Sequence, residues 1–287
     1  MENSYLLIAL CSMFFYGSGD VIFKIAARKG LPSHQFLIMQ TIFFLPSALV
    51  LGIASSSIHF GVPFLYGMSA GVTLYFALLY FAISLSTGDV SVVAPVFRSS
   101  FILSATLAII FLDEPITVYK VLAFFLLVIA AFLLLSNLNA QVSHVKQSAQ
   151  KNRTIRTLAI ATVLLGITGF IYKLGAIAGG NSISILTGQA VVFFSLAFIS
   201  CYHKEKKIIF VWKYLYLGFL AALFLFLGLY ILLEALKYGP ASTIVPISQM
   251  SFVVTAMAGI FIFKEKILWQ KILGLACSVG AIILLAQ

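Results

Sequence analysis

The chain has 287 residues, of which 62% are hydrophobic and only 9% charged. A soluble domain carries about 25% charged residues, so this chain lacks the polar surface to face water and is predicted to be an integral, multi-pass membrane protein, with the cell membrane as its place. The formal net charge of +10 does not point to nucleic acid, because the basic residues fall in the gaps between apolar runs, where the cationic loops of a membrane protein belong.

A bilayer core takes about 20 apolar residues per helix. In chain order the runs that meet this are 4–26, 34–54, 62–85, 90–111, 116–136, 155–177, 183–201, 211–236, 241–263 and 267–286, which predicts ten transmembrane helices. The first run follows no cationic segment and carries no small-residue cleavage site, so it is expected to be a retained helix. The breaks carry turn chemistry: Lys29-Gly30-Leu31-Pro32, Ser55-Ser56-Ser57, Asp113-Glu114-Pro115, Gly179-Gly180-Asn181 and Tyr238-Gly239-Pro240. Runs this long and uniformly apolar exclude the alternating strands of a membrane β-barrel. One long polar stretch, 139–154, is expected to link a first unit, 1–138, to a second, 155–287.

The two units repeat each other. At a constant offset of 151 residues, Gly88 falls on Gly239, Ser91 on Ser242, Pro95 on Pro246, Ser100-Phe101 on Ser251-Phe252 and Glu114 on Glu265. The front of each unit aligns at an offset of 149, with Gly17 on Gly166, Phe23-Lys24 on Tyr172-Lys173 and Gln40 on Gln189. Five helices is an odd number, so consecutive units must enter the membrane from opposite sides. The expected fold is all-α, two inverted five-helix repeats, with a substrate site near the midplane where they meet. Thirteen Lys and Arg fall in the odd-numbered connections and two, Lys120 and Lys237, in the even ones. The positive-inside rule then predicts both termini outside the cytoplasm.

Several local patterns bear on the family: Phe15-Tyr16-Gly17-Ser18-Gly19-Asp20 followed by Lys24, Tyr80-Phe81-Ala82 ahead of Gly88, Ala235-Leu236-Lys237-Tyr238-Gly239-Pro240, the doubled Pro95 and Pro246, and the doubled Glu114 and Glu265. Taken in order over nearly the whole chain, this set resembles the EamA-type carriers of the drug/metabolite transporter superfamily. The resemblance implies a permease fold, transport of small metabolites with export of amino acids or related compounds as the frequent role, and cytoplasmic termini, the reverse of the charge distribution. Two departures stand out. Gln40 and Gln189 occupy places where the family often has Arg, and Asp113 and Lys264 stand where Gly precedes the repeat Glu.

Charge inside a bilayer costs about 2.5–3.5 kcal/mol on insertion scales, so intramembrane ionisable residues are the first candidates for a site. These are Asp20, Lys24, Arg98, Lys173 and Glu234. Asp20 and Lys24 stand one turn apart on one face and can pair, with Asp20 a candidate proton carrier. Lys24 and Lys173 also have the length to snorkel to a helix end. Arg98 lies just after Pro95, which frees a backbone carbonyl, and a guanidinium there suits a carboxylate or phosphate or is neutralised by Asp20 or Glu234. Its repeat counterpart is the neutral Gln249, next to Ser248, so an asymmetric cavity is expected. Gln40, Gln189, Tyr16 and Tyr80 are further candidates for contact with substrate. Glu234 also stands three residues before Lys237, a spacing that allows simple pairing. Pro95, Pro246, Glu114 and Glu265 are read as architectural.

The chain shows no nucleophile–base set, metal-ligand spacing or nucleotide loop; Cys11, Cys201 and Cys277 lie far apart. No enzyme activity, cofactor or metal is expected. The expected partners are a small-molecule substrate and the lipid bilayer, with proton coupling if Asp20 or Glu234 titrates, in a monomer or a homodimer. The expected function is a secondary transporter of a small polar metabolite working by alternating access. Two alternatives stand beside it: a nucleotide-sugar or phosphate-ester antiporter, and a non-transporting membrane scaffold or lipid-binding subunit.

Overall fold

A computed structural model of the chain describes residues 4–87, 90–142, 148–179, 181–205, 212–264 and 269–285. The described residues fold into helices and short turns. The first half holds α1 (Ser4–Arg28), α2 (Ser33–Ala54), α3 (Val62–Thr87), α4 (Val90–Arg98), α5 (Phe101–Leu112) and α6 (Val118–Val142). The second holds α7 (Ser148–Ile177), α8 (Ser182–Glu205), α9 (Leu215–Tyr238), α10 (Ala241–Gln249), α11 (Phe252–Phe261) and α12 (Trp269–Leu285), with a 3-10 turn at Trp212–Tyr214 ahead of α9. Among the described residues eight spans are long and apolar enough to cross a membrane, and two shorter apolar helices, Val118–Ala130 and Ile272–Leu285, lie within α6 and α12. The protein is all-helical and crosses the membrane several times. Helix also covers much of the polar stretch 139–154, since α6 runs on to Val142 and α7 begins at Ser148. Residues 143–147, Gly88 and Glu265 lie outside the described residues.

The predicted continuous helices over 90–111 and 241–263 are each two helices. In the first, Ser99 N–H bonds Pro95 O at 2.9 Å but Ser100 N–H drops back to Phe97 O at 3.3 Å. In the second, Met250 N–H is shared between Pro246 O at 3.1 Å and Ile247 O at 3.2 Å. The step from i−4 to i−3 bonding tightens the turn and interrupts the ladder. Ser100 and Ser251 keep right-handed helical dihedrals, φ −48° with ψ −25° and −21°, so each break is a kink, not an unwound loop. A proline one turn upstream has already removed one rung of each ladder. The α4–α5 and α10–α11 breaks fall at repeat-equivalent positions.

The helices pack mainly across the two halves, in pairs that exchange when the halves are exchanged. α1 packs on α9 as α7 packs on α3; α2 meets α9 as α8 meets α3; α4 meets α11 as α10 meets α5. α2 with α8 and α6 with α12 pack directly on their own counterparts. The halves therefore interdigitate, and the molecule's centre lies between them. Two glycines set this closeness. A Cβ on Gly17 of α1 would stand 2.7 Å from Ser251 O, at the α10–α11 break. A Cβ on the equivalent Gly166 of α7 would stand 2.9 Å from Ser100 O, at the α4–α5 break. Each broken helix is thus crossed at its kink by the glycine of the opposite half, where only a missing side chain allows the approach.

Candidate functional site

The kinks deliver two side chains to the centre. Arg98 ends α4 and Gln249 ends α10. Arg98 Nη1 donates to Gln249 Oε1 at 2.9 Å. Its Nε and Nη2 donate to the two carboxylate oxygens of Asp20, at 3.0 Å and 2.6 Å. The guanidinium carbon lies 4.9 Å from the centre of the Tyr16 ring, within cation–π range. Asp20 is 1% exposed and Arg98 2%, so the pair is desolvated, bidentate and charge-assisted. Of the two partners that the sequence offers for Asp20, Lys24 and Arg98, the structure shows Arg98. Sequence spacing puts Lys24 within reach of Asp20, but α4 brings the planar fork of Arg98 onto the carboxylate, and the fork matches both oxygens at once.

Arg98 and Gln249 line a cavity of about 40 Å³ between the halves, room for roughly three waters. Its other polar lining comes from Tyr16, Gln40, Thr41, Tyr172 and Gln189, and its apolar lining includes Phe44, Leu78, Phe193 and Leu229. Tyr172 donates its hydroxyl to Gln189 Oε1. Gln40 Oε1 and Thr41 Oγ1 are buried with no hydrogen-bonding partner among the described residues. Thr41 and the pairing role of Tyr172 are absent from the sequence-based candidates. Thr41 is one polar residue beside Gln40 in an apolar run, and the Tyr172–Gln189 contact joins two helices whose crossing no local pattern announces.

Other predicted residues lie away from this cavity. Lys24 Nζ donates to Leu85 O at 3.2 Å, and Lys173 Nζ to Leu236 O at 3.4 Å and Gly239 O at 2.9 Å. Leu85 and Leu236 are themselves repeat-equivalent, so both lysines bind the same carbonyl near the C-terminal end of α3 or α9, where a cation is favoured. Glu114 accepts from Ala241 N at 2.9 Å and Ser242 N at 2.8 Å, an anionic cap on the N-terminus of α10 in the other half. Its Oε1 lies 3.9 Å from Lys173 Nζ. Lys120 Nζ joins the same corner through Ser242 Oγ at 2.7 Å and Pro115 O at 2.8 Å. Glu234 pairs with Lys237 at 2.7 Å near the end of α9. Ser248 is buried one residue before Gln249 but does not line the cavity, and Tyr80 packs against the core. Pro95 lies inside α4 and Pro246 inside α10. Among the described residues no group of three or more His, Cys, Asp or Glu is placed to hold a metal ion.

The model of the EamA-like transporter family matches residues 3–136 and again 153–287, one copy on each half. The chain belongs to the EamA-like transporter family. Its two family units meet at the Arg98–Gln249 contact and share the central cavity. No curated protein matches the chain. A crystal structure of a protein with 12% sequence identity superposes with a TM-score of 0.75, covering 98% of this chain and 96% of that one. At that identity the likeness is one of fold. As a family member the protein is a membrane transporter, with a small-molecule substrate and a lipid surround.

Proposed function

We propose that this transporter is a secondary carrier built as ten transmembrane helices in two inverted five-helix repeats, and that it moves a small polar metabolite by alternating access. The observation that carries this reading is the meeting of Arg98 and Gln249, one from each half, at a buried cavity between paired helix kinks. Halves that meet at this central hydrogen bond and pack through exchangeable helix pairs can rock about that centre. The cavity holds only a few waters, which suits a closed state that must widen to admit substrate.

The charge balance favours an amino acid or a related zwitterion. Arg98 is already neutralised by Asp20, so the cavity offers hydrogen-bond donors without surplus positive charge. A nucleotide sugar or phosphate ester needs uncompensated cations, and Lys24 and Lys173 are engaged with backbone carbonyls instead. Asp20 is the group placed to couple transport to protons, because releasing Arg98 would leave its carboxylate buried and in need of a proton. The Lys and Arg bias favours both termini outside the cytoplasm, and the family's frequent role favours export as the direction.

Flux of labelled amino acids, a nucleotide sugar and a sugar phosphate into proteoliposomes holding only this chain tests the reading. Saturable movement of an amino acid is the expected result. Movement of the phosphorylated solutes alone would favour the antiporter, and no flux across the panel would favour a scaffold or lipid-binding role.

A further inference from the structure

The cavity's two glutamines are repeat-equivalent but not alike. Gln189 is occupied by the hydroxyl of Tyr172. The residue that stands to Gln40 as Tyr172 stands to Gln189 is Phe23, which has no hydroxyl. The correspondence is structural as well as sequential, since the neighbours Lys24 and Lys173 bind the equivalent carbonyls of Leu85 and Leu236. Phe23 packs edge-on to Phe36, with ring centres 4.8 Å apart, and Phe36 lies one turn before Gln40 on the same face of α2. Gln40 is 3% exposed and its carbonyl oxygen has no partner among the described residues, nor does the hydroxyl of Thr41 beside it. Both side chains line the cavity. On the same cavity, the three hydrogen bonds of Arg98 leave N–H donors of the guanidinium unspent.

A buried amide oxygen without a partner is uncommon in a folded protein, and one on a cavity wall is poised for a ligand or a water. We infer that Gln40 is a specificity-determining residue: its carbonyl oxygen accepts a hydrogen bond from an N–H of the substrate, and Phe23 keeps that oxygen open where Tyr172 closes its twin. The asymmetry gives the substrate one orientation. Its N–H faces Gln40 and Thr41 in the first half, and its carboxylate or carbonyl faces the spare donors of Arg98. This rests on the carrier reading above for its substrate and, for the pairing of positions 23 and 40, on their repeat equivalence with the bonded Tyr172 and Gln189.

Two variants of the full chain test it. In Phe23→Tyr the new hydroxyl reaches Gln40, so the thermal midpoint in detergent is equal to or above that of the parent. In proteoliposomes its KM for L-leucine rises tenfold or more with little change in kcat. In Gln40→Leu the preference for L-leucine over 4-methylpentanoate, which lacks only the amino group, falls at least tenfold. A lowered midpoint for Phe23→Tyr, the mark of a stranded buried hydroxyl, would overturn the pairing. An unchanged leucine preference in Gln40→Leu would overturn the recognition role. If the parent chain moves neither compound, the amino-acid reading and the role assigned to Gln40 in it fail together, while the thermal midpoint still decides the 23–40 pairing.

Discussion

Arg98 and Gln249 occupy the same position in two copies of one repeat, and they bond to each other at 2.9 Å. The bond joins the two halves beside the cavity that both of them line. One of the pair has become a cation, and Asp20 has been recruited to neutralise it.

Arg98→Gln makes the two positions alike and leaves Asp20 buried without its partner. Removing one member of a buried ion pair costs about 3–5 kcal/mol. Asp20→Asn strands Arg98 in the same way, and the double variant removes both charges together. In a double-mutant cycle by thermal or denaturant unfolding, the double variant is expected to be more stable than the sum of the singles predicts. Additive losses would mean that the pair does not act as a unit.

The carboxylate of Asp20 also bears on energy coupling. Transport by Asp20→Asn is expected to lose its dependence on a proton gradient while solute exchange at zero gradient persists. Gradient-driven uptake at the parent's level would remove Asp20 from the proton path.

Glu114 ties the halves at a second place. Its two oxygens cap α10 and one lies near Lys173. Glu114→Gln keeps one acceptor but loses the charge, and a loss of about 1–2 kcal/mol is expected from the weakened cap and dipole interaction. Lys173→Met is expected to lower the thermal midpoint as well, and the two losses should overlap in the double variant because the residues share a corner. Independent losses would separate Lys173 from the cap.

Gly17→Ala places a methyl group 2.5 Å from Val254 Cβ and 2.7 Å from Ser251 O, and Gly166→Ala meets Leu103 and Ser100 O almost as closely. Backbone cannot yield as a flexible side-chain tip does, and overpacking of this kind costs about 1–3 kcal/mol. Both variants should give less folded protein in size-exclusion profiles. Gly30→Ala is the contrast: nothing lies near its would-be Cβ, and its φ of +72° makes the penalty one of backbone strain alone. Parent-like behaviour of Gly17→Ala would contradict the close crossing at the α10–α11 kink.

The orientation drawn from charge is open to a direct check. A C-terminal reporter active only outside the cytoplasm is expected to give signal, and silence there with signal from a cytoplasmic reporter would reverse it.

Much of this was legible in the residues. The duplicated Pro95 and Pro246, the paired glycines and the apolar run lengths pointed to a two-unit helical membrane protein, and Arg98 and Gln249 stood out as an unmatched pair of equivalents. The kinks were not legible, because the ladder fails one turn beyond each proline, inside a run whose total length reads as one membrane span. The partner of Asp20 was left open between two readings: spacing along one helix offers Lys24, whereas Arg98 arrives from a helix far away in sequence, and the structure takes Arg98. Gln40 and Gln189 looked interchangeable until the structure set Tyr172 against one and a bare phenylalanine ring near the other.

Counterflow in proteoliposomes tests alternating access around Arg98 and Gln249. With this chain alone in the membrane, labelled L-leucine outside and excess unlabelled L-leucine inside, uptake should accelerate well above the rate with empty vesicles, and Arg98→Ala should abolish the acceleration. Uptake that ignores the internal solute, or survives intact in Arg98→Ala, would contradict alternating access around the Arg98–Gln249 centre.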